Sequence, residues 1–420
     1  MLFLTRWFGV TSSDTERDPI REQSVIEEIV QQSLLLQAKS AAQQHRPIGR
    51  GTHVKGVCVR AQFEVLNLSL RNDLRLAKRL GQGIFAKPGI YPATVRFGNS
   101  NPKNNSDFKP DVRSMSFSVD LNPQDSPASG TTLRRQDYSL QNTKTLPMND
   151  ANAILALANV LTASSPLSGF WALAFEDKLR VLRTVFLAQF QLHQKIKPYQ
   201  QLRYGSNVPF CHGAFDVVKF SARPSPANQA EPLQRHNSNG LQDELIRHVN
   251  EDGVMSSFEF GVQFLDPRKM TYWGKPRDAN FWIENASIDW KESEAPFHAV
   301  ARLTLLPMSH LSADDSNAVY FDVTENSSSD STPVGSINRA RWSSELASRK
   351  ARLQAANNGP QDSATGEGFG RATNSSAPAE KHAYLSREST RTIEHNAREA
   401  VDPHLRITYA RFDFDGKTHL

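Results

Sequence analysis

The stretch GRGTHVKGVCVRAQFEV, residues 49–65, places His53 after a glycine-rich turn and before an apolar run, with Arg50 three residues earlier. Three more residues with usable chemistry stand farther along: Arg96 in VRFGNSN, Asn142 in LQNTKTLP and Arg341 in INRARWSSE. A His and an Asn on one side of a pocket, ringed by Arg, suit a peroxide. The imidazole would carry a proton between the two peroxide oxygens, and the amide would orient the substrate. The guanidiniums would neutralise carboxylates through paired hydrogen bonds. Each residue also fits an ordinary role. His53 reads equally as a turn histidine at a strand entrance, Asn142 as a turn residue, and Arg96 as a solvated or paired strand cation.

The elements that would position these residues follow from hydrophobic spacing. Residues 16–45 carry Val25, Ile26, Ile29, Val30, Leu34 and Leu35 at helical intervals among Glu and Gln, which predicts an amphipathic N-terminal arm packed on the body or on a second subunit. From about residue 52 the pattern turns to strands: VCVRAQFEV, ATVRFGN and SMSFSVDL, separated by loops rich in Gly, Pro, Asn and Asp. Helices return in DANAILALANVL, with Asp150 or Asn152 as N-cap, and from Glu176 to Ile196. The strands DVVKFSARP, SSFEFGVQFL and FHAVARLTLLP follow, with the helix LQDELIRHV between the first two. The apolar run at Leu155–Leu161 and the helix 176–196 read as core or as the wall of a substrate channel. The last 75 residues or so are rich in Ser, Ala, Gly and Asn and poor in large apolar residues, the composition of a linker that cannot bury a core. HLRITYARFDFDG near the end reads as a last strand or docking segment.

Composition narrows the function classes. A chain of 420 residues with 38% hydrophobic and 22% charged residues is ample for a large core. A net charge of +5, with no basic run interleaved with aromatics, argues against nucleic acid. Two cysteines, Cys58 and Cys211, make neither a disulfide framework nor a zinc motif. No run is long enough for a membrane span, and MLFLTRWFGV, broken by Arg6, does not read as a signal peptide. A cytoplasmic location is expected. The final THL is at best a remote variant of a peroxisomal tripeptide.

Several segments, in order, resemble the catalase-like heme superfamily, and its small members (catalase-related peroxidases and allene oxide synthase domains) more than full-length catalases. RGTHVKG resembles the distal-histidine segment. VRFGNSN followed by DVRSMSFSVDL resembles the next paired strands, and LQNT the distal-asparagine segment. YGSNVPFCHGAFDVVKFSARP and IENASIDWKESEAPFHAVARLTL resemble barrel and wrapping segments, and PVGSINRAR the approach to the proximal helix. The resemblance spans roughly residues 48–350. It implies an α+β fold, an antiparallel β-barrel core with flanking helices. Residues 1–47 would form a helical arm, 48–350 the heme-binding barrel domain and 351–420 a disordered tail. It implies heme b as cofactor, His53 and Asn142 as catalytic residues, and Arg50, Arg96 and Arg341 against the propionates.

Two positions depart from the family pattern. The proximal Arg-x-x-x-Tyr pair reads RWSSE here, so Glu345 stands where the iron-ligating Tyr belongs. Glu345 is either an anionic oxygen ligand to the metal or the i, i+4 ion-pair partner of Arg341. Gly98 replaces the Ser that supports the distal His in catalases, with Ser100 two residues on as a candidate substitute. The expected function is a heme-dependent oxidoreductase acting on hydrogen peroxide or an organic, lipid-type hydroperoxide. Two alternatives are a scaffold that has lost heme and works by binding, and a heme protein with altered axial chemistry. A small-molecule peroxide and a second copy of the chain are the expected partners.

Overall fold

The computed structural model describes residues 19–45, 48–121, 134–233 and 236–357. Eight strands form its centre: β1 (Gly56–Val65), β2 (Gly89–Asn99), β3 (Arg113–Asp120), β4 (Arg135–Gln141), β5 (Tyr204–Gly205), β6 (Asp216–Pro224), β7 (Ser256–Phe264) and β8 (Phe297–His310). Each pairs antiparallel with the next in the chain, and β8 pairs back onto β1, so the sheet closes into a barrel. Closure removes the exposed sheet edges. A short strand, Phe210–His212, adds to the flank of β6.

The alternation read from the sequence decides which side chains enter the barrel. Val57, Val59, Ala61, Phe63 and Val65 of β1 are buried, as are Phe97 of β2, Phe117 of β3 and Tyr138 of β4. They meet Phe220 and Phe260 from the far wall. Ring centroids are 4.9 Å apart for Phe117–Tyr138, 4.8 Å for Tyr138–Phe260 and 5.5 Å for Phe220–Phe260. Aromatics fill the middle of the lumen, so polar chemistry is displaced to the outer face of β1–β4 and to the barrel ends.

Outside the barrel, helices pack on one another. Helix α1 (Pro19–Gln43) lays Val25, Ile26 and Ile29 against Ala151, Ile154 and Leu155 of α2 (Ala151–Thr162), and Val30 and Leu34 against Ala347. Ala347 belongs to α5 (Ser336–Asn357), introduced after α3 (Phe175–Leu192) and α4 (Gly240–Asn250). Of the two cap candidates for α2, Asp150 serves: its carboxylate accepts from the Ala153 N–H at 2.9 Å. The arm therefore packs on its own body. Helix α5 runs past residue 350 to Asn357, beyond the expected domain end. Residues 1–18, the low-complexity tail and HLRITYARFDFDG lie outside the described residues.

Candidate functional site

His53 sits in the turn that feeds β1, with φ of 53°. A left-handed backbone is uncommon for a residue with a side chain, although His visits it more than most. The turn is clamped from several sides. The His53 N–H donates to the Ser100 carbonyl at 3.3 Å. Arg96 donates through Nη2 to the carbonyls of His53 (2.8 Å) and Val54 (3.3 Å). Gln37 of α1 donates to the Gly49 carbonyl at 2.6 Å and to the Ser348 carbonyl of α5 at 3.3 Å. Strand, arm and wrapping helix together fix where the imidazole stands.

The ring's own partner is Ser114, with Nδ1 and Oγ 2.9 Å apart. Ser114 in turn donates its hydroxyl hydrogen to the Gly98 carbonyl at 3.2 Å. With that hydrogen on the Gly98 carbonyl, the Ser114 oxygen accepts from His53 Nδ1–H, the tautomer that leaves Nε2 as an acceptor. The hydroxyl thus comes from Ser114, whereas Ser100 is committed to Asp111 at 2.6 Å. The reason is steric. Gly98 pairs with Gly56 on one side and Ser114 on the other. A Cβ at 98 would meet the Lys55 carbonyl at 2.7 Å, and one at Gly56 would meet the Phe97 carbonyl at 2.5 Å and the Arg96 guanidinium at 2.6 Å. The two glycines let Arg96 lie across the strands, and the neighbouring strand supplies the missing hydroxyl.

Asn142 takes a different place from the one its motif suggested. Its side-chain oxygen accepts the Arg113 N–H at 2.7 Å, while its own N–H donates to the Arg113 carbonyl at 2.8 Å. Its amide nitrogen donates to Gln194 at 3.2 Å. The preceding residue, Gln141, is paired directly opposite Ser114 and so shares the face that holds His53. Gln141 thus lies on the Ser114 side of the sheet, and Asn142, just past the end of β4, bonds to the Arg113 backbone.

The charges of Arg96, Arg341 and Arg50 are all felt at His53. Burial first, then the charges of Arg96, Arg341 and Arg50, push the imidazole down to about 3. Burial, then Arg96 and Arg352, lower Arg50 to about 9, and Arg50 donates to the Val319 carbonyl. Arg352 is lowered by burial and by Arg349, whose guanidinium lies 3.5 Å over the Tyr320 ring. Among the described residues, the one carboxylate paired with this group of cations is Glu345. Its Oε1 lies 2.5 Å from Arg341 Nε, and its side chain is 42% exposed.

Such a cluster fits a dianionic group such as a porphyrin with two propionates, because buried like charges are costly until an anion is supplied. The floor beneath is small: Ser116 and Ser139 bond to each other at 3.2 Å beside Ser114. Among the described residues no three His, Cys, Asp or Glu side chains are grouped to hold a bare metal ion. Iron carried in a porphyrin needs only one protein donor, and Glu345 of α5, one turn from Arg341, is an anionic oxygen beside this cluster.

A recess opens at the barrel end beside Asn142, about 380 Å³ in volume and lined by Tyr204, Ser221, Gln263 and Trp290. Burial pushes the Lys219 ammonium in its wall down to about 7, partly offset by Asp289. Lys219 donates to the Ile288 carbonyl at 3.3 Å, and its Nζ lies 4.9 Å over the Trp290 ring. Ser114, Gln141 and Lys219 were not singled out by the sequence motifs. The alternation of SMSFSVDL marks Ser114 as outward-facing, but its partnership with His53 depends on strand register.

No family model and no curated protein matches the chain. Solved structures do. Catalase A from Saccharomyces cerevisiae aligns with a TM-score of 0.52 at 14% identity, over 75% of this chain and 63% of that one. A fungal catalase aligns with a TM-score of 0.53 at 13% identity, over 76% and 62% respectively. The chain thus spans about three-fifths of the length of these catalases. The fold is catalase-like.

Proposed function

On this catalase-like barrel, we propose that the chain is a heme-dependent oxidoreductase acting on hydrogen peroxide or an organic hydroperoxide. The observation that carries the reading is the His53–Ser114–Gly98 relay, which leaves a neutral Nε2 acceptor among buried guanidiniums. His53 Nε2 takes the proton from one peroxide oxygen and returns it to the other, which leaves as water or alcohol. Gln141 stands in for the distal amide, opposite Ser114. Arg50, Arg96 and Arg341 would hold the propionates of a bound heme, and Glu345 would offer an anionic oxygen to its iron. Ferric heme bound there would supply the electrons for O–O cleavage.

The test is reconstitution of the purified chain with hemin, followed by its Soret spectrum and turnover of hydrogen peroxide and a fatty-acid hydroperoxide. Heme uptake with turnover of either supports the reading, and failure to take up heme refutes it. A second reading, a catalase-like scaffold that has lost heme and works by binding, is favoured by the Arg341–Glu345 ion pair. Glu345→Tyr and Glu345→Ala separate the two. A carboxylate donates less charge to ferric iron than a phenolate, so Glu345→Tyr is expected to move the Soret band and Glu345→Ala to weaken heme retention. If neither variant alters heme content or spectrum, Glu345 is only the partner of Arg341.

A further inference from the structure

Helix α3 packs Val181 against Ala156 and Val160 of α2 but leaves its three phenylalanines exposed. Thr184 and Arg183 are buried, and Arg183 donates through Nη2 to Ser287 at 2.5 Å. Phe175, Leu182, Phe186 and Phe190 are exposed instead, at spacings that bring them onto one stripe of a 3.6-residue helix. Trp171 and Leu167 extend the stripe on the short helix Pro166–Ala172. Trp171, Phe175 and Phe190 are 66%, 67% and 68% exposed, where an ordinary surface helix would present polar groups. Phe186 and Phe190 touch edge to face at 5.1 Å, and Lys178 reaches over the Trp171 ring at 5.5 Å.

The rim is cationic. Lys195 and Lys197, just past the end of α3, are exposed, and neither makes an ion pair among the described residues. Lys39 of α1 lies at the Leu161 end, bonded to the carbonyls of Leu161 (3.3 Å) and Ala163 (3.1 Å). The nearby acids, Glu176 and Asp177, are both within reach of Arg180, at 3.9 and 2.7 Å. A second copy seated on this face by two-fold symmetry would put the same cationic rim on both sides of the seam. A bilayer rich in anionic lipid would instead neutralise them while taking up the aromatic stripe. Trp and Phe beside Lys is the composition of helices that lie in the interfacial plane.

We infer that the face formed by Pro166–Ala172 and α3 docks on an anionic lipid surface, with Trp171, Phe175, Phe186 and Phe190 entering the headgroup region. Under the function proposed above, this would bring the protein to the lipids from which an organic hydroperoxide derives. The docking itself requires no heme, so it can be tested whether or not that reading holds.

The experiment is co-sedimentation of the full chain, without added heme, on phosphatidylcholine vesicles with and without phosphatidylserine. Binding to the phosphatidylserine vesicles is expected, weakened by salt because part of it is electrostatic. The double variant Phe186→Asp/Phe190→Asp, at two exposed positions, is expected to lose roughly tenfold or more in partitioning with an unchanged melting temperature. Lys195→Glu/Lys197→Glu is expected to lose the preference for phosphatidylserine. The inference is overturned if the wild type stays in the supernatant, or if the Phe variant binds as well as the wild type. A wild type that ignores vesicles but sediments as a dimer, dissociated by the same Phe variant, would overturn it in favour of self-association.

Discussion

His53 is unusual less for its type than for how completely its surroundings forbid it a charge. Above about pH 6.5 the imidazole is neutral in both folded and unfolded chains. Below that, the unfolded chain takes up a proton that the folded one refuses until the pH nears 3. The unfolded state therefore binds more protons across this window, and His53 makes stability fall as the pH drops from about 6.5 toward 3. The slope from one such group approaches about 1.4 kcal/mol per pH unit. His53→Gln, which cannot titrate, should flatten that part of the curve in urea melts at a series of pH values. An unaltered slope would mean the imidazole is protonated in the folded protein, and the bare-acceptor role of Nε2 would go with it. Lys219 works in the same direction at higher pH. Its ammonium is pushed down to about 7, so between about pH 7 and 10.5 the unfolded chain again holds the extra proton. Wild-type stability should climb over that range relative to Lys219→Met, as paired thermal melts would reveal.

At the level of elements, the site depends on register. Consecutive residues of a strand face opposite ways, so a shift of one position separates a residue in the site from one in the ladder. Gln141 pairs across from Ser114, whereas Asn142 gives its side chain to the Arg113 N–H. Asn142→Ala should cost about 1 kcal/mol of stability for the lost ladder bond and leave peroxide kinetics near wild type. Gln141→Leu should do the reverse, lowering kcat with little change in the urea midpoint. Reversed outcomes would return the distal role to Asn142. The same dependence sets how much could be read without coordinates. The strands were legible because alternation is local, whereas the barrel and the grouping of Arg50, Arg96 and Arg341 with His53 were expected from the catalase-like resemblance and not from spacing. That Gln141 lies opposite Ser114 was not legible, because LQNT does not reveal the pairing of β4 with β3. Ser114 was missed because its link to His53 passes through the pairing of Gly98 with both Gly56 and Ser114, a fact about three strands at once. The exposed stripe of α3 was legible as amphipathic, but periodicity does not say which face turns inward.

For the molecule as a whole, the barrel interior holds the site's frame rigid. Phe260 alone touches rings from four other strands: Phe63, Phe117, Tyr138 and Phe220. Phe260→Ala should cost about 3–5 kcal/mol, read from the urea midpoint, and any heme uptake should be lost in the same transition as the barrel. A separate loss of heme well before unfolding would place the site on a frame independent of the lumen. The pairing order also bears on how the chain is made. Seven of the eight strand pairings join neighbours in sequence and can form as the ribosome delivers them, but β1 meets its other partner only when β8 emerges. At typical elongation rates that wait is roughly ten to fifty seconds. Throughout it β1, which carries the His53 turn at its start, presents an open edge in a crowded cell. The strand next to the His53 turn is thus the first part of the barrel to be synthesised and the last to be sealed, and a nascent chain stalled before residue 297 would leave that edge for a chaperone or a neighbouring chain to cover.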